Sequence, residues 1–239
     1  MSFSQELIEA GQPYLIANQQ HPFIQSVLHN QVDAKALAYY IQQDLQYANA
    51  ETIVQTALVA NSETVADQQL FADQLSRHLK SVSALFQQLS QNNHNDWSQQ
   101  QKATVQPVTF LYRQHILSPL PSANLLAILT PFEAGIWLYV ELGKFLSQSD
   151  QVRQDNPFYP WVDDLQHGEF AGEDGISNQF MAVIDREAAK ASDQQLAVAK
   201  EAFLRSSLFE WYFWDAAFKQ ITWENWTASA LDGQAGDLL

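Results

Sequence analysis

Phe203-Leu-Arg-Ser-Ser-Leu-Phe-Glu-Trp-Tyr-Phe-Trp-Asp-Ala-Ala-Phe218 is the stretch on which the fold turns. It is dense in aromatic residues, yet Glu210 sits in its middle, where a plain division into core and surface would place the polar residues on one outward side. On a helix Glu210 shares a face with Ser206, Phe213, Trp214 and Ala217, because residues three and four apart are neighbours. A carboxyl held among aromatic rings is desolvated, which disfavours its charged form and lifts its pKa toward the range useful to a general acid or base. The alternative is that Glu210 points to solvent at the edge of a buried helix, as glutamates mostly do.

The rest of the chain agrees with a helical reading. It has 239 residues with only 8 Gly and 8 Pro, and so few breakers among abundant Gln, Ala and Leu favour helices over many strands. No internal repeat and no linker rich in Pro, Gly or Ser interrupts it, so one all-α domain of about eight helices spanning 1–239 is expected. Its 12 Lys+Arg against 27 Asp+Glu give a formal charge of −15, which repels phosphate backbones and anionic membranes, so neither nucleic acid nor membrane is an expected partner. No apolar run approaches the length of a membrane span, and the N-terminus lacks the basic and apolar regions of a signal peptide, so the cytoplasm is the expected compartment. The absence of cysteine excludes disulfides, thiolate metal sites and a cysteine nucleophile.

Spacing places the helices. Residues 3–18 read as a short helix with a boundary or kink at Pro13, and a second helix runs from Phe23 toward a stop at Asn30. Asp33 is a good N-cap for a long helix to about Ala60. Ser62 or Thr64 starts another to about Gln91, a fourth is expected over Trp97–Ile116, and Pro119 and Pro121 break the chain before a very apolar fifth helix over 123–148, capped by Ser122 or Asn124. A short helix from Asn156 to about Phe170, a break over Gly172–Gly175, helices over 176–192 and 194–223, and a loose tail from Thr227 complete the expectation.

Two of these helices repeat the anomaly at Glu210. The third carries Leu37, Tyr40, Ile41, Asp44, Tyr47, Ala48 and Glu51 on one stripe, which places two carboxylates and two tyrosines where a plain core wants aliphatics. The plain alternative is that Asp44 and Glu51 lie at the stripe's edge and the tyrosines reach water with their hydroxyls. Before its last turns, the fifth helix has Glu133 as its one interior charge. His78, beside the apolar row of the fourth segment, reads as a packing residue.

Taken in order, His21-Pro-Phe23, Gln43-Asp-Leu-Gln-Tyr47, Tyr112, Trp137-Leu-Tyr-Val-Glu-Leu-Gly143 and Glu210-Trp-Tyr-Phe-Trp-Asp215 resemble the TenA family, the thiaminase II group with the haem-oxygenase-like helical fold, related more distantly to PqqC. The resemblance spans His21 to about Phe218 and implies a haem-oxygenase-like bundle whose pocket holds an aminopyrimidine between aromatic rings. It implies that Asp44 hydrogen-bonds the pyrimidine ring nitrogen and amino group, that Tyr47, Tyr112 and Tyr139 line the pocket, that Phe213 contacts the ring, and that Glu210 acts as general acid or base at the leaving group. No cofactor and no metal are expected, and a homo-oligomer is, as family members commonly form one.

The chain departs from the family at the nucleophile. Counting back from Tyr139 without a gap puts Ala134 and Gly135 on the family's Pro-Cys pair; matching the prolines instead puts Phe132 there. The tyrosine that follows the tryptophan after the Asn-Pro stretch is also missing, with Leu165 in its place. A branch of the family lacks the cysteine and relies on a glutamate, for which Glu133 is the candidate here. The resemblance then implies hydrolysis of an aminopyrimidine or formylaminopyrimidine thiamin breakdown product by carboxylate-activated water; thiamin cleavage leans on the missing thiol. Two rivals remain: a non-catalytic small-molecule binder, and a di-iron oxidase drawing on Asp73, His78, Glu133, Asp164 and His167, although the Glu-x-x-His pairs of such sites are absent.

Overall fold

The structure is a computed structural model that describes residues 1–92, 94–148, 152, 154, 156, 158–167 and 175–231. Its helices are α1 (Phe3–Gln19), α2 (Pro22–Leu28), α3 (Ala34–Ala60), α4 (Val65–Asn92), α5 (Trp97–Gln100), α6 (Pro107–Leu117), α7 (Leu125–Ser147), α8 (Tyr159–His167), α9 (Ile176–Ala188), α10 (Asp193–Lys219) and α11 (Trp223–Leu231), with a 3₁₀ turn at Leu120–Ser122. No strand occurs among the described residues.

Local chemistry explains most boundaries. Asp33 accepts hydrogen bonds from the Lys35 and Ala36 amides and so caps α3, while Asn124 rather than Ser122 caps α7 through the Ala127 amide. Ser192 and Gln195 form a reciprocal capping box at the start of α10. Pro13 lies inside an uninterrupted α1, which carries it without ending there.

Three expectations are corrected. The helix expected over Trp97–Ile116 is two, because Pro107 has no amide to continue a helix and holds Gln106 extended, so it starts α6 afresh. The last long helix stops at Lys219, where Gln220 turns left-handed at φ 55, and α11 begins at Trp223. An apolar run of membrane-span length does exist: Leu125–Ser147 qualifies by length and composition. It is apolar all round because it is the central helix, packed by α8, α9 and α10, with most of its residues buried. The Gly172–Gly175 break lies, up to residue 174, outside the described residues; the tail expected to be loose from Thr227 is instead helical as far as Leu231, within α11, and beyond Leu231 it lies outside the described residues.

The core positions α10 against α7. Trp214, wholly buried, stacks on Phe23 at 5.5 Å and touches Tyr40, Tyr139 and Trp161, so one aromatic cluster ties α2, α3, α7, α8 and α10 together. Gly11 lets α1 approach closely: a Cβ there would meet the Trp137 ring at 2.9 Å.

Candidate active site

Between α3, α4, α6, α7, α8 and α10 lies a cavity of about 150 Å³. That is room for on the order of ten waters or one small heterocycle with short substituents. The face of α3 that opens on it carries Asp44, Tyr47, Glu51 and Gln55, which follow one another by three or four residues as a helical stripe demands. α4 contributes Gln74, His78 and Phe86, α6 Tyr112, α7 Phe132, Gly135 and Tyr139, α8 Trp161, Asp164 and Leu165, and α10 Glu210 and Phe213. Among the described residues no lysine or arginine lines it.

Glu210 is 3 % exposed. The Tyr112 hydroxyl donates to its Oε1 at 2.6 Å, and the Tyr112 ring is held between Phe209, stacked at 5.2 Å, and Tyr47, at 4.5 Å. One turn along α6, His115 Nε2 lies 3.1 Å from the Ala202 carbonyl oxygen and 3.0 Å from Ser206 Oγ, which pins α6 to α10 beside the carboxylate. Glu210 therefore has one fixed geometry. Opposite it, Gly135 has no side chain: a Cβ there would stand 2.9 Å from Glu210 Oε1 and 3.4 Å from Tyr112 Oη. Gly135 therefore presents a side-chain-free face to the cavity, and Phe132, the residue reached when the prolines are matched, lines it too.

Four carboxyls, those of Asp44, Glu51, Asp164 and Glu210, line the cavity with no lysine or arginine beside them among the described residues, and burial raises the pKa of each. Burial pushes Glu210 up to about 8, against the opposing pull of the Tyr112 hydrogen bond and with help from Asp44 and Glu51. Asp44 rises to about 8, through burial and then the Glu51 charge, and Glu51 to about 7 through burial. Asp44 and Glu51 are partly accessible, but the opening is to the cavity rather than to the outer surface, and desolvation dominates. Tyr40 lies within polar reach of Asp44 and Tyr139 yet completes a hydrogen bond to neither.

Asp44, Tyr47, Tyr112, Tyr139, Phe213 and Glu210 thus all meet at one cavity. The second catalytic candidate does not join them. Glu133 is fully buried, accepts a hydrogen bond from Ser177 of α9, and has its carboxyl pushed well above the usual carboxylate range by burial. Two residues separate it from Gly135, about 200° around a helix, so it faces α9 when Gly135 faces the cavity. Leu165 does line the cavity and packs on Gly143, whose Cβ would meet it at 2.7 Å.

Glu51 was visible on the α3 stripe but had no role, and Gln55, its i+4 successor on that stripe, was missed although the same periodicity predicts it. His78, read as a packing residue, lines the cavity: its Nε2 is 3.2 Å from the Ala48 carbonyl oxygen and its Nδ1 3.8 Å from Glu51. The remaining di-iron candidates do not converge. Asp73 is exposed, the His167 side chain lies outside the described residues, and among the described residues no three His, Asp or Glu side chains come together as a metal would require.

The fold and cavity define a class: helical bundles of the haem-oxygenase-like fold that enclose an aromatic, carboxylate-bearing pocket for a small molecule. A family profile described as TENA/THI-4/PQQC matches residues 10–220, and the chain belongs to that family. It is 26% identical over 235 residues to the aminopyrimidine aminohydrolase of Bacillus subtilis (strain 168), covering 97% of this chain and 94% of that protein. It is 24% identical over 226 residues to the aminopyrimidine aminohydrolase of Staphylococcus aureus (strain NCTC 8325 / PS 47), covering 94% and 97%. The TenA homologue of Pyrococcus furiosus has the same fold, with a TM-score of 0.79 at 19% identity over 90% of this chain and 100% of that one. The TenA homologue of P. horikoshii OT3 gives 0.78 at 15% identity over 92% and 99%.

Proposed function

We propose that this chain is a thiamin-salvage hydrolase that cleaves a C–N bond of an aminopyrimidine or formylaminopyrimidine with water as the nucleophile. The observation that carries the proposal is Glu210, buried, held by Tyr112 and facing the side-chain-free surface of Gly135. The names of the relatives supply the substrate class.

In this reading the ring packs against the aromatic wall formed by Tyr47 and Phe213, with its amidine-like edge on Asp44. A carboxyl with a pKa near 8 can share a proton with a ring nitrogen, so neither partner is left as an isolated buried charge. Tyr139 and Tyr112 close the walls. The face of Gly135 turned to Glu210 and Tyr112 carries no side chain, so a water held by these two groups can approach the substrate past it. Glu210 takes that water's proton as its oxygen bonds to the carbon, and returns a proton to the nitrogen as the C–N bond breaks and the amine leaves. A pKa near 8 keeps both protonation states of Glu210 accessible around neutrality.

The proposal extends to a cytoplasmic homo-oligomer. The exposed apolar group Phe110, Leu111 and Trp223 supports contact between copies.

The test is incubation with 4-amino-5-aminomethyl-2-methylpyrimidine and with its N-formyl derivative, followed by assay of released ammonia or formate. Turnover by the wild type that Glu210→Gln abolishes supports the hydrolase. Binding of both compounds without turnover supports the second reading that the vacancy at Gly135 favours, a binding protein that kept the pocket and lost the chemistry.

A further inference from the structure

The ring site just described occupies only part of the cavity. From Asp44 to Gln55 the cavity follows α3 for eleven residues, about 16 Å of helix rise. One ring clamped at Asp44, Tyr47 and Phe213 leaves the stretch beyond Tyr47 unfilled. That stretch is polar. Glu51 and Gln55 are one turn apart on one face, and Gln74 and His78 face them from α4.

Two independent observations give it the character of a binding site rather than a solvated edge. Glu51 lines the cavity, its side chain 22 % exposed, without a lysine or arginine within salt-bridge reach among the described residues, its nearest partner being His78 at 3.8 Å. Gln55 is 2 % exposed and lines the cavity, yet its Oε1 has no hydrogen-bond partner. A buried amide oxygen without a donor is a standing cost that a ligand's donor would remove. A carboxyl that a bound cation would draw into its charged form and a carbonyl side by side both accept, so together they select a donor, and a cationic one before a neutral one.

We propose that Glu51 and Gln55, with His78 across from them, form a second subsite that binds a protonated amine at the end of a substituent on the pyrimidine. The substrate class is then an aminopyrimidine extended by a chain ending in an ammonium group. Glu51 supplies the charge and Gln55 Oε1 the second acceptor, about two turns from the ring edge on Asp44. The subsite rests on the pyrimidine reading of the Asp44 end.

Titration calorimetry with three ligands tests it: 4-amino-5-aminomethyl-2-methylpyrimidine, the same compound extended at its exocyclic nitrogen by a chain ending in an ammonium, and an extension of equal length ending in a methyl group. The wild type should bind the ammonium ligand at least about tenfold more tightly than the methyl ligand, as expected of one charge-assisted hydrogen bond. Glu51→Gln should remove most of that preference and Gln55→Leu should reduce it, the ratio of affinities for the two extended ligands being the readout, and a cooperative thermal transition reports that the variants are folded. Equal affinity of the wild type for the two extended ligands overturns the subsite, as does a preference that survives Glu51→Gln. If the short ligand fails to bind but the ammonium preference holds and depends on Glu51, the pyrimidine reading fails and the subsite stands. Binding of none of the three overturns both.

Discussion

The Tyr112 hydroxyl holds Glu210 Oε1 at 2.6 Å, directly over a residue, Gly135, that has no side chain to come between them. This pairing fixes where a proton can be delivered in the cavity. Replacing Glu210 by Gln keeps the shape and the Tyr112 contact but removes the proton transfer. Turnover should fall by about 10²–10⁴-fold with ligand affinity changed much less, as single-turnover kinetics and calorimetry would show. Tyr112→Phe should cost less than Glu210→Gln, since it frees the carboxyl without removing it.

Adding a methyl group at position 135 intrudes on the same pairing. A Cβ 2.9 Å from Glu210 Oε1 forces the carboxyl to move, so Gly135→Ala should lower kcat by up to about 10²-fold while leaving the fold intact. A Gly135→Ala enzyme with unchanged kcat would show that the space over Gly135 is not where the reaction takes place.

Glu133 should behave as a packing residue. Burial pushes its carboxyl well above the usual carboxylate range and it bonds Ser177, so Glu133→Gln preserves its volume and should leave kcat within about threefold. Glu133→Ala, which opens a cavity in the core beside α9, should lower the unfolding free energy by about 2–4 kcal/mol in denaturant titrations.

The pH dependence of stability has a definite sign. Asp44, Glu51 and Glu210 bind protons more tightly in the folded chain, at about 8, 7 and 8, than at the ordinary carboxylate values of 3.8 and 4.5. Between those limits the folded state holds more protons than the unfolded one, so these groups make stability fall as pH rises from about 4 to 8. Each can contribute up to about 1.4 kcal/mol per pH unit inside its window. Denaturant midpoints of the ligand-free protein should decline over this range, and Glu210→Gln should flatten the decline. A stability that rises across the window would contradict the protonated cluster.

The fold was legible because its evidence is local. The 3.6-residue stripes of α3, α7 and α10 and the caps at Asp33 and Asn124 are written in adjacent residues. So were the misplaced carboxylates Asp44 and Glu210, since a charged residue on an apolar stripe is visible without knowing what faces it. Glu133 passed the same test and proved to face Ser177, because composition shows that a carboxylate is buried and not which neighbour it meets. The angle between 133 and 135 pointed to the outcome. Gln55 and His78 were missed for the opposite reason: glutamine is abundant in this chain, and a histidine beside an apolar row looks like packing until α4 is seen lying across α3.

The most direct test of the central claim, that this pocket recognises an aminopyrimidine through Asp44, is thermal unfolding of the wild type and Asp44→Asn with and without 4-amino-5-aminomethyl-2-methylpyrimidine. At about a hundred times its Kd the ligand should stabilise the wild type by roughly 2.7 kcal/mol, and Asp44→Asn should lose most of that gain. Absence of stabilisation in the wild type, or equal stabilisation of both proteins, would contradict it.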